Sequence, residues 1–156
     1  MPIRKIAVEG DECLTKVCRP VTEFNDRLFQ LLEDMNDTLK EAKGAGLAAP
    51  QVGVLRRVAL VLDEENDTFL EFINPRILHA EGIQDGAEGC LSVPGRYGMV
   101  DRPKKVTVLY QDRTGKEKKI TLEDFSARCA CHEIDHLDGK LYTRLVKEYL
   151  KPEDME

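Results

Sequence analysis

One long stretch of the chain alternates apolar and polar residues with the period of an α-helix. It runs from Thr22 to Lys43, and its apolar positions recur at spacings of 4, 3, 4 and 3 residues: Leu28, Leu32, Met35, Leu39 and Ala42. Residues at these spacings share one helix face, so the stretch predicts a long amphipathic helix packed on the core. Thr22 or Asn25 can cap its start, and Gly44 can end it.

A second helical pattern lies nearer the C-terminus. Its four marked positions recur at spacings of 4, 3 and 4 residues: Phe125, Cys129, His132 and His136. The spacing predicts a helix that turns all four side chains towards the interior. Thr121 with Asp124 three residues later resembles a capping box, and Gly139 is a suitable end.

Shorter apolar runs predict strands at Arg57–Leu62, Phe69–Ile73, Ile77–Ala80, Lys105–Asp112 and Lys118–Leu122, with a strand or extended segment at Leu141–Val146. The pair before and after Arg113-Thr114-Gly115 should form a hairpin. Residues 1–23 are expected to be an extended arm with a helical turn near Cys13. Together these elements predict an α+β fold: antiparallel or mixed sheets around a central helix, with the long N-terminal helix packed outside.

Composition narrows the class of protein. A chain of 156 residues predicts one domain, 1–156, and 42% hydrophobic with 33% charged residues is typical of a soluble globular protein. A net charge of −6 without a long basic run argues against nucleic acid or anionic lipid as a main partner. No apolar stretch is long enough to span a membrane, and the start lacks the apolar core of a signal peptide. Five cysteines without a C-x-x-C pair predict free thiols in a reducing cytoplasm.

The candidate chemistry begins with H-E-x-x-H at residues 132–136. On a helix His132 and His136 lie one turn apart on one face, so both can bind one metal ion. Glu133 sits about 100° round the helix and can transfer protons instead of binding the metal. The alternative is a pair of core histidines beside an exposed Glu. A chance match in a chain with three histidines has odds of roughly one in a few hundred.

A catalytic metal site needs a third protein ligand. The candidates are His79, the five cysteines and many carboxylates. Cys129 is seven residues from His136, about 10 Å of helical rise, which is too far for one ion. Cys131 points away from the histidine face, so the ligand should come from elsewhere in the chain. His79 is expected to be a structural or surface residue.

Two further segments have unusual composition. GAGLAAPQ at 44–51 has almost no side-chain bulk, and Gln51 is its one hydrogen-bonding side chain. It is either a tight turn with a solvated Gln51 or a surface that another backbone can approach. EGCLS at 88–92 places Cys90 at the edge of a predicted strand, as a core cysteine or as the missing ligand.

In order and spacing, GAGLAAPQ, EGCLS and HEIDH resemble the peptide deformylase family, as do SVPG at 92–95 and V-x-R at 100–102. The resemblance covers nearly the whole chain. It implies one divalent metal held by Cys90, His132 and His136, with water in the fourth position. Iron(II) is the implied ion, and zinc, nickel or cobalt could replace it.

The resemblance also implies the reaction. The enzyme would remove the formyl group from N-formylmethionyl nascent peptides and release formate. Glu133 would transfer the proton, the Leu91 N–H and the Gln51 amide would stabilise the oxyanion, and Gly46 would give the peptide backbone room to bind.

Other residues would support this site. Phe125, Arg128 and Cys129 precede His132 by one or two turns and are predicted to line a pocket for the methionine side chain. Glu88 and Arg102 would brace the Cys90 loop; the alternative is two unrelated surface charges. Some family members use a long C-terminal helix to contact the ribosome. The tail of this sequence is short, so a transient contact with the ribosome would have to form without such a helix.

Two other functions are compatible with parts of the pattern. A general metallopeptidase also uses H-E-x-x-H, but EGCLS would then have no role. An inactive relative could keep the fold as a binding module, although every residue assigned to catalysis is present.

Overall fold

The computed structural model describes residues 3–151 and 153. Its two α-helices are α1, Asp26–Ala42, and α2, Asp124–Leu137. The strands are β1 Gly46–Ala48, β2 Val58–Asp63, β3 Thr68–Glu81, β4 Gln84–Cys90, β5 Val93–Arg102, β6 Lys105–Gln111, β7 Glu117–Glu123 and β8 Glu148–Tyr149. Short 3-10 turns occur at Glu12–Thr15, Ala49–Val52 and Tyr142–Leu145.

The strands form two antiparallel sheets. The larger has the order β1-β2-β3-β6-β7, and the smaller has the order β4-β5-β8. Helix α2 contacts β1, β2, β6 and β7 of the larger sheet and β5 of the smaller one. This is an α+β fold with antiparallel sheets, as the sequence predicts.

Strand β2 explains why the larger sheet carries a helix on each face. Successive side chains of a strand point to opposite faces. Val58 and Leu60 pack in the cluster that contains the α1 leucines, whereas Val61 packs with α2. Because both faces are covered, the strand is almost continuously apolar.

Helix α1 begins at the second of its two predicted caps. Asn25 is the cap, and its side-chain oxygen accepts a hydrogen bond from the Leu28 N–H at 3.2 Å. Thr22 lies outside the helix. At the other end Lys43 adopts a left-handed conformation and donates its N–H to the last turn, so the helix ends just before Gly44.

The predicted capping box of α2 is wrong. The helix begins at Asp124, and no side chain caps it at Glu123. Thr121 belongs to β7 instead, and its hydroxyl lies 3.0 Å from that of Thr107 across the hairpin. The strand therefore continues to the helix start and leaves no free turn for a cap. The helix ends at Leu137, and Gly139 has a positive φ of 75°.

Two predicted strands join into one. Phe69–Ile73 and Ile77–Ala80 are both part of β3, with a register shift against β6 between Ile73 and Arg76. Pro75 lies in this shift, where its missing N–H is tolerated. The predicted hairpin of β6 and β7 is present, with three of its four strand ends moved by one residue.

The segment after α2 also differs from its prediction. Leu141–Val146 contains a 3-10 turn, and the strand that follows, β8, pairs with β5. The N-terminal arm is extended with one turn at Glu12–Thr15, as expected; residues 1 and 2 lie outside the described residues. Within residues 3–151 and 153, neither helix is both long and apolar enough to cross a membrane.

Candidate metal centre and active site

Three potential metal ligands converge where the smaller sheet meets α2. Cys90 is the last residue of β4, and His132 and His136 lie on successive turns of α2. Their ligand atoms all lie within 4.8 Å of one another, and Cys90 Sγ is 3.3 Å from His136 Nε2. A tetrahedral ion with bonds of about 2.0–2.3 Å would separate such atoms by about 3.3–3.6 Å. The cluster therefore fits one ion.

Glu88 sets the orientation of His132. Its Oε1 lies 2.8 Å from His132 Nδ1, and Arg102 donates two hydrogen bonds to the same carboxylate, at 2.8 and 2.9 Å. Although burial raises the pKa of Glu88, hydrogen bonds from Arg102 and His132 lower it to about 2. Glu88 is thus an acceptor, which puts the proton on Nδ1 and leaves Nε2 free to bind a metal.

Arg128 belongs to the same network. The sequence places it in a methionine pocket, but its guanidinium is buried and donates to Glu88 Oε2 at 2.8 Å and to the Val100 carbonyl at 2.9 Å. Arg102 also binds Asp135 at 2.8 Å. Glu88 and Arg102 are therefore a buried ion pair, not two unrelated surface charges.

The ionisation of the two histidines differs. Burial lowers the pKa of His132, but its contacts with Cys90 and Glu88 outweigh burial and raise it to about 10. Burial and the neighbouring His132 lower the pKa of His136. The carboxylate and thiol beside His132 therefore favour one positive charge in the cluster, which a proton or a metal ion can supply.

Glu133 is buried beside this cluster. Burial raises its pKa to about 7, near the pH at which a proton acceptor and donor is most effective. Its Oε1 has no hydrogen-bond partner among the described residues, and neither has His136 Nδ1. Buried polar atoms usually have partners, so these two mark a place for water or a bound molecule.

Gly46 lies directly against Glu133. A Cβ built on Gly46 would lie only 2.5 Å from Glu133 Oε2 and 2.9 Å from Cγ. Sequence reasoning assigns Gly46 to the peptide, but its missing side chain is also what leaves space for Glu133.

Gln51 is held beside Cys90 and is not solvated. Its Oε1 accepts the Ala48 N–H at 2.9 Å, and its Nε2 donates to Ser92 Oγ at 3.0 Å and lies 3.6 Å from Cys90 Sγ. Leu91 follows Cys90 in the turn between β4 and β5. Ser92 is a site residue that sequence reasoning missed, although it stands within EGCLS.

A cavity of about 510 Å³ opens in front of the cluster. Its lining includes most residues predicted for the site: Gly46, Gln51, Glu88, Cys90, Leu91, Phe125, Arg128, Cys129, His132 and Glu133. His136 and Arg102 are buried and do not belong to this lining. Phe125 is 39% exposed, so it borders the cavity but does not face the interior as its spacing predicts. His79 is exposed, pairs with Glu81 and is not part of the cavity lining.

The fold and cavity define an α+β protein with a candidate Cys-His-His metal site beside a buried Glu. A family model described as Polypeptide deformylase matches residues 3–151. A peptide deformylase of Thermoanaerobacter pseudethanolicus is 51% identical over 156 residues, covering 100% of this chain and 97% of the relative. That of Caldanaerobacter subterraneus is 50% identical, with coverage of 100% and 97%.

Solved structures agree with this similarity. A crystal structure of a peptide deformylase from Legionella pneumophila has a TM-score of 0.88 at 45% identity, and covers 96% of this chain and 87% of that one. The chain belongs to the polypeptide deformylase family. It is therefore an enzyme, a metal-dependent hydrolase that removes the N-formyl group from peptides.

Proposed function

We propose that residues 1–156 form one catalytic domain that deformylates N-formylmethionyl nascent polypeptides in the cytoplasm, using one divalent metal held by Cys90, His132 and His136. The observation that carries the proposal is the convergence of these three ligand atoms beside a buried Glu133. A thiolate and two imidazoles suit a borderline-soft ion, and we propose iron(II), with zinc, nickel or cobalt as substitutes. The five free thiols are typical of a reducing compartment.

When bound, the ion supplies Lewis acidity, which polarises the formyl carbonyl and acidifies water. Glu133 then takes a proton from the attacking water and returns one to the leaving amine. Its burial and its raised pKa both suit this exchange. Glu88, bound by Arg102, keeps His132 in the tautomer that binds a metal.

Charge that develops on the formyl oxygen needs hydrogen-bond donors. The Gln51 amide already lies beside Cys90, and the Leu91 N–H belongs to the turn that follows it. We assign both groups to oxyanion stabilisation. The products are formate and a peptide with a free amino terminus.

The substrate backbone would bind along β1. This strand is at the edge of its sheet and pairs only with β2 among the described strands, so a peptide can add to it next to Gly46. Phe125, Arg128 and Cys129 line the adjoining cavity and are assigned to the methionine side chain. Because the Arg128 head group is bound to Glu88, only its stem is available for that contact. Near the C-terminus the described residues include β8, which pairs with β5.

The test is formate release from formyl-Met-Ala-Ser by protein purified without oxygen, with metal content measured. Glu133→Ala should abolish activity at unchanged metal content, whereas Glu117→Ala, at an exposed position of β7, should behave as the parent. A parent that carries stoichiometric iron(II) and releases no formate would contradict the proposal. Cleavage of an unformylated internal peptide would then indicate a metallopeptidase, and no reaction with either would indicate a binding module.

A further inference from the structure

The Gln51 amide has a defined orientation because each end has its own partner. The Ala48 N–H, 2.9 Å away, requires the oxygen at one end. Ser92 Oγ accepts one Nε2 hydrogen at 3.0 Å at the other end. Rotating the amide by half a turn would set its NH2 against the Ala48 N–H, donor facing donor. The Ala48 contact therefore selects the orientation, and the Ser92 contact directs the NH2 group.

The second Nε2 hydrogen is directed towards the candidate metal centre. The NH2 group carries two hydrogens, and Ser92 accepts one of them. The other is donated to Cys90 Sγ, which lies 3.6 Å from Nε2. Since the NH2 group is planar, fixing one hydrogen on Ser92 also fixes the direction of the other. Ser92 is fully buried, so no water competes for its hydroxyl.

The N-terminal arm joins the same two residues through their backbones. The Ala7 N–H donates to the Gln51 carbonyl at 2.7 Å, and the Glu9 N–H donates to the Ser92 carbonyl at 2.7 Å. Gln51 follows β1 of the larger sheet, whereas Ser92 lies between β4 and β5 of the smaller one. The backbone N–H groups of Ala7 and Glu9 therefore connect a segment next to the larger sheet with a segment of the smaller one.

We propose that Ser92 is a positioning residue for Gln51. We also propose that residues 7–9 form a clamp, which keeps Ser92 and Gln51 at a fixed distance from each other. The inference rests on the proposed role of Gln51 as an oxyanion donor. Neither Ser92 nor the arm needs to touch the substrate. Their effect is to hold one N–H where it can meet the developing charge, and a small displacement of such a donor is costly.

The test of Ser92 is a double-mutant cycle with Gln51 in the metal-loaded enzyme. Ser92→Ala, Gln51→Ala and the double variant are compared for kcat and KM of formate release, metal content and thermal midpoint. We expect Ser92→Ala to lower kcat about tenfold with KM and metal content nearly unchanged. In the Gln51→Ala background the same change should alter kcat less than about twofold, because Ser92 acts through Gln51.

Four outcomes would overturn the role of Ser92. Equal losses from Ser92→Ala in both backgrounds would mean that it acts independently of Gln51. Loss of metal in proportion to activity would mean that it acts through the Cys90 loop. A parental kcat in Ser92→Ala, while Gln51→Ala is impaired, would reject this inference alone. A parental kcat in Gln51→Ala would instead reject the oxyanion role in the proposed function, and this inference with it.

The clamp is tested with proline, which removes a backbone N–H. Ala7→Pro should lower kcat about as much as Ser92→Ala, and should lower it no further when Gln51 is already alanine. Lys5→Pro is the matched control, because the Lys5 N–H has no described partner and the side chain is exposed. Parental kcat in Ala7→Pro, or an equal loss in Lys5→Pro, would overturn the clamp.

Discussion

At the residue scale, some residues contact two functional groups of the candidate site at once. Gly46 borders both the cavity and Glu133, and Glu88 holds His132 while it is held by Arg102 and Arg128. These shared contacts mean that a single substitution can disturb catalysis without touching the substrate.

Gly46→Ala tests the contact with Glu133. The added Cβ would lie 2.5 Å from Oε2, so the carboxylate must move. We expect kcat for formate release to fall at least about tenfold, since misplaced catalytic groups are inefficient. In a Glu133→Gln background the same substitution should cause no further loss of kcat. A parental kcat in Gly46→Ala would show that Glu133 can act from a different position.

Arg102→Ala tests the buried ion pair. Removing one partner leaves the Glu88 carboxylate less well compensated, at a cost of about 3–5 kcal/mol of unfolding free energy. Metal affinity should fall about 10–100-fold because His132 loses its support. Metal titration and denaturant unfolding measure the two effects. Arg144→Ala is the control, because Arg144 also binds Asp135 but is exposed and does not reach Glu88.

At the element scale, local chemistry determines where helices and turns begin. The α1 start illustrates this, because the sequence offers Thr22 and Asn25 as caps and only Asn25 accepts a hydrogen bond from the first turn. The hairpin of β6 and β7 depends in the same way on Asp112, whose Oδ1 accepts hydrogen bonds from Thr114 and Lys116.

Asn25→Ala should destabilise the protein by about 1 kcal/mol through loss of the α1 cap. Thr22→Ala should leave the unfolding free energy unchanged, since Thr22 lies outside the helix. Urea denaturation of the two variants and the parent makes the comparison. If both substitutions destabilised the protein equally, Asn25 would not be the sole cap of α1.

Asp112→Ala should lower the thermal midpoint at neutral pH. Hydrogen bonds from Thr114 lower the pKa of the Asp112 carboxyl to about 2 in the folded protein. Because the folded pKa is depressed, the stabilisation is present above the ordinary pKa of Asp and is lost as pH falls through that value towards 2. The difference in midpoint between parent and variant should therefore shrink between about pH 4 and pH 2. A difference that stays constant over this range would exclude the charged form as its source.

At the scale of the whole molecule, the candidate metal ligands come from two separate parts of the fold. Cys90 belongs to the smaller sheet, whereas His132 and His136 belong to α2 against the larger one. A bound ion would therefore cross-link the two, in addition to the Glu88–Arg102 pair and the N-terminal arm.

Metal removal should accordingly lower the thermal midpoint. A ligand at 100 times its dissociation constant stabilises the folded state by about 2.7 kcal/mol. Chelation of the parent, followed by differential scanning calorimetry, should reveal a shift that re-addition of metal reverses. Cys90→Ser should show little response to the chelator, whereas Cys13→Ser, on the N-terminal arm, should respond as the parent does.

The sequence alone determined the elements and the site candidates whose signals are local. The period of α1, the β6–β7 hairpin and the i, i+4 histidines are readable because each depends on residues a few positions apart. The three quoted motifs indicated the family, which the relatives support.

Only the tertiary structure decided how distant segments meet. The Cys90–His136 contact spans 46 residues and the Ser92–Gln51 hydrogen bond spans 41. No local period encodes such pairs, because long-range packing brings them together. The same packing joined two predicted strands into β3, moved the α2 start to Asp124 and bound the Arg128 head group to Glu88. Local patterns predict which residues can act, and the packing of the two sheets on α2 determines which of them act together.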